Sequence, residues 1–241
     1  MSRSGHGNNT MQLFAHRGVS ALAPENSVQA FTLALAEQAD GIELDVRLVA
    51  GQAMVIHDED LERTTSGLGP VAQLDHANWQ QLDAGDGKPP PSLDQVLAMV
   101  AGQTRVNIEL KCREVVSAVV KDIQHAIANY GFSAQQLCVS AFDHHALIDL
   151  QRLLPHHPVA PLICACPLDY TACAEPFAAQ AIHTHVETTN QDLVDDAHAR
   201  GLAVRVYTVT RAADLVRLYR LGVDAVFVND VAWARGVLSA M

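Results

Sequence analysis

Apolar and polar positions follow two rhythms along this chain. Short runs rich in aliphatic and β-branched residues recur at Gln12–His16, Gly41–Val46, Ala53–His57, Arg105–Lys111, Gln136–Ala141, Val159–Cys164, Ala181–Val186, Ala203–Thr208 and Asp224–Val228. Between most of them lie longer stretches with helical spacing. Asn26–Ala39 carries Val28, Phe31, Leu35 and Ala39 on one stripe, and Asp214–Leu221 stops at Gly222, a natural helix terminator. Strands alternating with helices predict βαβ units and a parallel sheet. Only Arg47–Gln52 separates the second run from the third, whereas a parallel crossover needs about a dozen residues. The third run must therefore return antiparallel, turning near Ala50–Gly51, with Val49 opposite Gln52, Asp45 near Ile56 and His57 beside Glu43–Asp45. Removing it leaves eight parallel strands. The predicted fold is α/β, a (β/α)8 barrel spanning residues 1–241 as one domain, with a β-hairpin after the second strand. An open doubly wound sheet is the alternative, but no GxGxxG follows the first strand.

Asp58–Pro91 breaks the rhythm. It is polar and rich in turn residues, and too long for an ordinary connection. Following directly on His57, it is expected to form a small insertion or lid (58–91) over the barrel mouth. Ser92-x-x-Gln95 then reads as a capping box opening a helix. The first ten residues, MSRSGHGNNT, read as a frayed terminus without a signal peptide's apolar run.

Composition narrows the function. The 241 residues are 49% apolar and 18% charged, a globular balance, with a net charge of −11. That charge argues against nucleic acid or an anionic membrane as partner. No run is long enough to span a bilayer, so a cytoplasmic protein is expected, a monomer or a homodimer. The five cysteines are an odd set for a disulfide framework and read as buried free thiols.

Barrel chemistry belongs at the C-terminal ends of the strands. The first strand ends in His16-Arg17-Gly18; the second carries Glu43 and Asp45 on one face; the hairpin returns His57 to them; the next parallel strand sets Glu109 and Lys111 on one face. Three carboxylates brought together repel one another and are costly to bury unpaired. A divalent cation offsets that best, and an all-oxygen set favours Mg2+ or Ca2+ over zinc. Arg17 offers a fork and Lys111 a point charge to a phosphate. His16 and His57 can exchange protons near neutrality. Each piece alone is weak; their convergence on one mouth suggests phosphoester cleavage at a bound metal. Of the 12 histidines, His183 and His185 share a strand face and could form a metal pair, though a structural role is the simpler reading. His144-His145 and His156-His157 read as loop or helix-end residues.

Phe14-Ala15-His16-Arg17-Gly18, Pro24-Glu25-Asn26-Ser27, Gly41-Ile42-Glu43-Leu44-Asp45-Val46, Val55-Ile56-His57-Asp58, Leu61-Glu62-Arg63-Thr64-Thr65 and Asn107-Ile108-Glu109-Leu110-Lys111 occur in that order. This pattern resembles the glycerophosphodiester phosphodiesterase family, in its short, soluble bacterial form. The resemblance covers about Phe14 to Asp230. It implies a metal-dependent barrel that hydrolyses glycerophosphocholine, glycerophosphoethanolamine and similar diesters to sn-glycerol 3-phosphate and an alcohol. It also implies Glu43, Asp45 and Glu109 as metal ligands, His16 and His57 as general acid and base, and Arg17 and Lys111 as phosphate contacts. The C-terminal half departs from the family pattern. Tyr207-Thr208-Val209-Thr210 replaces Trp-Thr-x-Asn, and Asn229-Asp230-Val231-Ala232 replaces Thr-Asp-x-Pro. Tyr207 can still stack against the substrate. Three readings compete with this one. A histidine-ligated metallohydrolase would want His-x-His on the first strand. A phospholipase D-type enzyme would want an apolar rim. An inert phosphodiester binder would have lost a histidine or a carboxylate.

Overall fold

A computed structural model describes residues 11–241 apart from residue 86; the expectation for the first ten residues lies outside these. Nine strands form one sheet: β1 (Gln12–His16), β2 (Gly41–Val49), β3 (Gln52–Val55), β4 (Arg105–Leu110), β5 (Leu137–Ala141), β6 (Val159–Ile163), β7 (Ala181–His185), β8 (Ala203–Val209) and β9 (Ala225–Val228). All neighbouring pairs are parallel except β2–β3, and β1 pairs with both β9 and β2, closing an eight-stranded parallel barrel. The hairpin has the expected register, Val49 opposite Gln52, with the Ile56 N–H donating to the Asp45 carbonyl. Its return strand stops at Val55, so His57 sits just beyond the sheet.

The helices are α1 (Val28–Ala36), α2 (His76–Trp79), α3 (Leu93–Val100), α4 (Val116–Asn129), α5 (His144–Leu153), α6 (Gln191–Ala199), α7 (Ala212–Leu221) and α8 (Val231–Ser239). Helix α1 is shorter than the apolar stripe predicts. Ser27 caps it through the Ala30 N–H, and Asn26 takes a left-handed conformation (φ 57°) that turns its amide toward the barrel mouth. The predicted capping box at Ser92–Gln95 opens α3, and α7 ends at Gly222. Between β6 and β7 the crossover carries only a 3-10 turn, Ala172–Phe177, with Pro176 inside it.

The main core lies between the barrel wall and the helices. A second small core of Val49, Met54, Ile56, Leu61, Val71, Trp79 and Leu82 joins the 58–91 segment to the hairpin. The insertion therefore packs on the hairpin, and the Trp79 indole N–H is satisfied by the Pro90 carbonyl. The thiols differ from expectation. Cys138 is buried, but Cys164 and Cys166 are exposed, because the chain there has left β6 and entered the open crossover.

Inside the barrel, the stagger of the strands sorts side chains into layers of four from alternate strands. Carried round the observed pairings, one layer consists of Glu43, Ser140, His183 and Phe227. Above it, toward the strands' C-terminal ends, lie His16, Glu109, Leu162 and Tyr207, then Asp45, Phe142, His185 and Asn229. Below it lie Phe14, Asn107, Ala160 and Arg205. The ring contacts agree with this order: His183 and Phe227 have centroids 5.0 Å apart, and the Arg205 guanidinium lies 5.4 Å over Phe14. Gly41 is required beside Phe14, since a Cβ there would lie 2.2 Å from the ring.

Candidate active site

Glu43, Asp45 and Glu109 enter the mouth from adjacent strands, with one oxygen of each within 4.8 Å of the others. It is the only such cluster of His, Cys, Asp or Glu among the described residues, so His183 and His185 form no metal site of this kind. Glu43 is 3% exposed and Asp45 1%. One Glu43 oxygen, Oε2, accepts from the Arg17 N–H at 2.9 Å, while Oε1 is buried without a partner. Burial, then the charges of Asp45 and Glu109, push the Glu43 carboxyl well above its ordinary range. Burial and Asp45 also raise Glu109. Three buried carboxylates that destabilise one another's charge, one with an unused oxygen, form an all-oxygen set that fits a divalent cation. The fit is to the class of hard cation; Asp45 is further held by the Asn26 amide at 2.9 Å.

Two cations border the cluster. Lys111 Nζ lies 2.7 Å from Glu109 and 3.7 Å from Asp45. Arg17 Nη1 donates to Glu25 at 2.8 Å, and its Nε lies 3.1 Å from Asp45 but makes no hydrogen bond.

The histidines are held differently. His16 Nδ1 meets the Asn229 side-chain oxygen at 2.8 Å, which assigns the ring N–H to Nδ1 and leaves the Nε2 lone pair, 4.0 Å from Glu43, facing the pocket. Burial, and next the Arg17 charge, lower its pKa to about 4, so the ring is neutral. His57 Nδ1 meets a carboxylate, Asp58 Oδ1, at 2.6 Å. Burial lowers the His57 pKa as well, against the upward pull of Asp45 and Asp58. Asp58 is in turn gripped by Arg63, which lowers its pKa, and Arg63 forks onto Glu25. Glu25 bridges Arg63 and Arg17; these contacts outweigh burial and hold its carboxyl at about 2.

All eight residues expected at the mouth are brought together around one rim. Seven of them line a cavity of about 120 Å3: His16, Arg17, Glu43, His57, Glu109, Lys111 and Tyr207, with Asn107, Phe142, Leu162, His183 and Phe227. Asp45 stands beside it. Tyr207 sits at the rim with its hydroxyl on the Ile163 carbonyl and its ring edge-on to Phe142 and His185. Sequence reasoning missed the residues that orient these groups: Asn26, Asn229 and the Asp58–Arg63–Glu25 chain. Their motifs were visible, but the partner each side chain would find depends on loop conformation.

A closed parallel barrel that gathers two histidines, two cationic side chains and three carboxylates at its C-terminal mouth has the make-up of a barrel hydrolase. The profile of the glycerophosphoryl diester phosphodiesterase family matches residues 16–232, and the chain belongs to that family. It is 32% identical over 228 residues to a glycerophosphodiester phosphodiesterase of Caldanaerobacter subterraneus subsp. tengcongensis, covering 90% of this chain and 93% of that one. A Bacillus altitudinis glycerophosphodiester phosphodiesterase is 30% identical, with 90% and 94% covered. An Oleispira antarctica phosphodiesterase solved with the product sn-glycerol-3-phosphate superposes with a TM-score of 0.87 at 26% identity, over 95% of this chain and 96% of that one.

Proposed function

We propose that this enzyme hydrolyses small glycerophosphodiesters, such as glycerophosphocholine and glycerophosphoethanolamine, to sn-glycerol 3-phosphate and an alcohol. The observation that carries this reading is the pair of differently held histidines flanking the carboxylate trio. Glu43, Asp45 and Glu109 hold Mg2+ or Ca2+. When bound, the ion polarises a phosphate oxygen and offsets charge in the transition state. Arg17 and Lys111, both lining the cavity, bind the remaining phosphate oxygens and stabilise the charge that grows there. Tyr207 packs the organic moiety at the rim, and the 58–91 segment, which carries Asp58 and Arg63, acts as a side wall or lid.

The two histidines divide the proton work. His16 is neutral with its lone pair on Nε2, so it takes the proton from the attacking hydroxyl, that of water or of the glycerol C2. His57 acts in its imidazolium form, whose charge the Asp58 carboxylate offsets in part against the cost of burial. Its Nε2–H passes to the alkoxide that leaves phosphorus. With water as nucleophile, the bond formed is O–P from water, the bond broken is P–O of the leaving alcohol, and sn-glycerol 3-phosphate results directly; with the C2 hydroxyl, the same displacement gives the cyclic 2,3-phosphodiester, which water opens in a second displacement as P–O2 breaks and the two histidines exchange roles. Such groups contribute about 10²–10⁴-fold each.

The test follows choline released from glycerophosphocholine by wild-type, His16→Ala and His57→Ala protein. Both variants are expected to bind the metal as the wild type does, with kcat lower by about 10²–10⁴-fold. Near-full turnover in both would overturn the assignment.

A further inference from the structure

His183 lies in the wall of the cavity beneath the reacting groups, yet none of the catalytic steps uses it. It is fully buried, and neither ring nitrogen has a hydrogen-bond partner. Burial and the nearby Arg205 charge keep the ring uncharged, so it presents one N–H donor and one lone pair. A buried imidazole with both polar atoms idle is costly and rare, and calls for a partner. Its place in the barrel says where that partner is. His183 shares a layer with Glu43, and β7 stands opposite β2 in the closed sheet, so the two residues face each other across the lumen. The Asn107 side-chain oxygen, in the layer below, is also buried and unpartnered and lines the same cavity.

We propose that His183 is a specificity residue that hydrogen-bonds the free C1 hydroxyl of the substrate's glycerol moiety, with Asn107 Oδ1 available as a second acceptor; this rests on the reading of glycerophosphodiester hydrolysis given above. The cavity, about 120 Å3, is small, so it takes the compact and constant glycerol end while the variable alcohol faces the open mouth. Asp45 lies two layers above His183, and two residues along a strand tilted about 36° to the barrel axis give a depth of roughly 5 Å, the reach of a three-carbon polyol hung from a phosphate. A hydroxyl both donates and accepts, and so can use both kinds of atom that the floor offers.

The experiment compares kcat/KM for glycerophosphocholine and for the analogue whose C1 hydroxyl is replaced by hydrogen. The wild type is expected to prefer glycerophosphocholine about tenfold or more, because a buried polar site rejects a ligand that leaves it unpaired. His183→Leu is expected to bring the two substrates within about threefold, mainly by raising KM for glycerophosphocholine, with metal affinity unchanged. His183→Asn, polar but too short to reach, serves if the leucine variant does not fold, with the same collapse expected. A wild type that treats both substrates alike overturns the proposal, as does a variant that keeps the preference. A wild type with no activity on glycerophosphocholine instead overturns the reading on which it rests.

Discussion

At the scale of single residues, the site is a set of charges held against their own preference. Glu43 is buried beside Asp45 and Glu109, has one oxygen without a partner, and its carboxyl is pushed well up by that setting. Removing its charge must relieve the empty site and impair the loaded one. Glu43→Gln is therefore expected to raise the stability of metal-stripped protein by about 1 kcal/mol while weakening metal-induced stabilisation severely. Thermal melts with EDTA and with added Mg2+ check both halves; a melt lowered in EDTA contradicts the repulsion argument. Asn229 works through His16, fixing its Nδ1–H with one hydrogen bond. Asn229→Ala is expected to lower kcat by about 10-fold or more with metal affinity unchanged, since it frees the ring to rotate and change tautomer. An unchanged kcat would remove Asn229 from the account.

At the scale of elements, the strands were legible because their apolar runs are short and clearly bounded, and the short Arg47–Gln52 link left the hairpin no other geometry. The carboxylates and Lys111 were legible for a related reason: strand periodicity fixes which side chains share a face. What stayed hidden depends on loops. Asn26 reaches Asp45 only because its backbone is left-handed, and Arg63 reaches Asp58 and Glu25 only after the insertion folds on the hairpin. The exposed Cys164 and Cys166 belong to the same class, since the apolar run hid the end of β6. The β1–α1 loop is the tightest of these. Gly18 has φ 77°, and a Cβ there would lie 2.6 Å from the Ala30 backbone. Gly18→Ala is expected to cost about 2 kcal/mol or more and to lower activity, because the same loop carries His16 and Arg17. Denaturant melts measure the cost; a stability loss below about 0.5 kcal/mol would show that the loop yields easily.

For the whole molecule, a net charge of −11 and the proposed anionic substrate pull against each other, and on the proposed reading Arg17, Lys111 and a cation on the carboxylates would resolve this locally at the mouth. No helix among the described residues is long and apolar enough to cross a membrane. Acid should act on the whole fold through buried histidines. His157, 4% exposed, has its pKa lowered by burial to about 4, against an ordinary 6.5. Between those values the unfolded chain binds a proton that the folded chain refuses. The contribution is therefore intact above pH 6.5 and is lost as pH falls toward 4, roughly 3 kcal/mol at most. His157→Gln is expected to flatten part of the fall in unfolding free energy between pH 6.5 and 4.5, as measured by denaturant titration. An unchanged slope would mean that His157 titrates alike in both states.

The most direct measurement is release of sn-glycerol 3-phosphate from glycerophosphocholine by EDTA-stripped protein, with Mg2+, Ca2+ or nothing added back. Hydrolysis absent after stripping and restored by either ion is the result expected of a cation held by Glu43, Asp45 and Glu109 with His16 and His57 moving the proton. Full activity in the stripped protein, or none with either ion while the ion still binds, would contradict it.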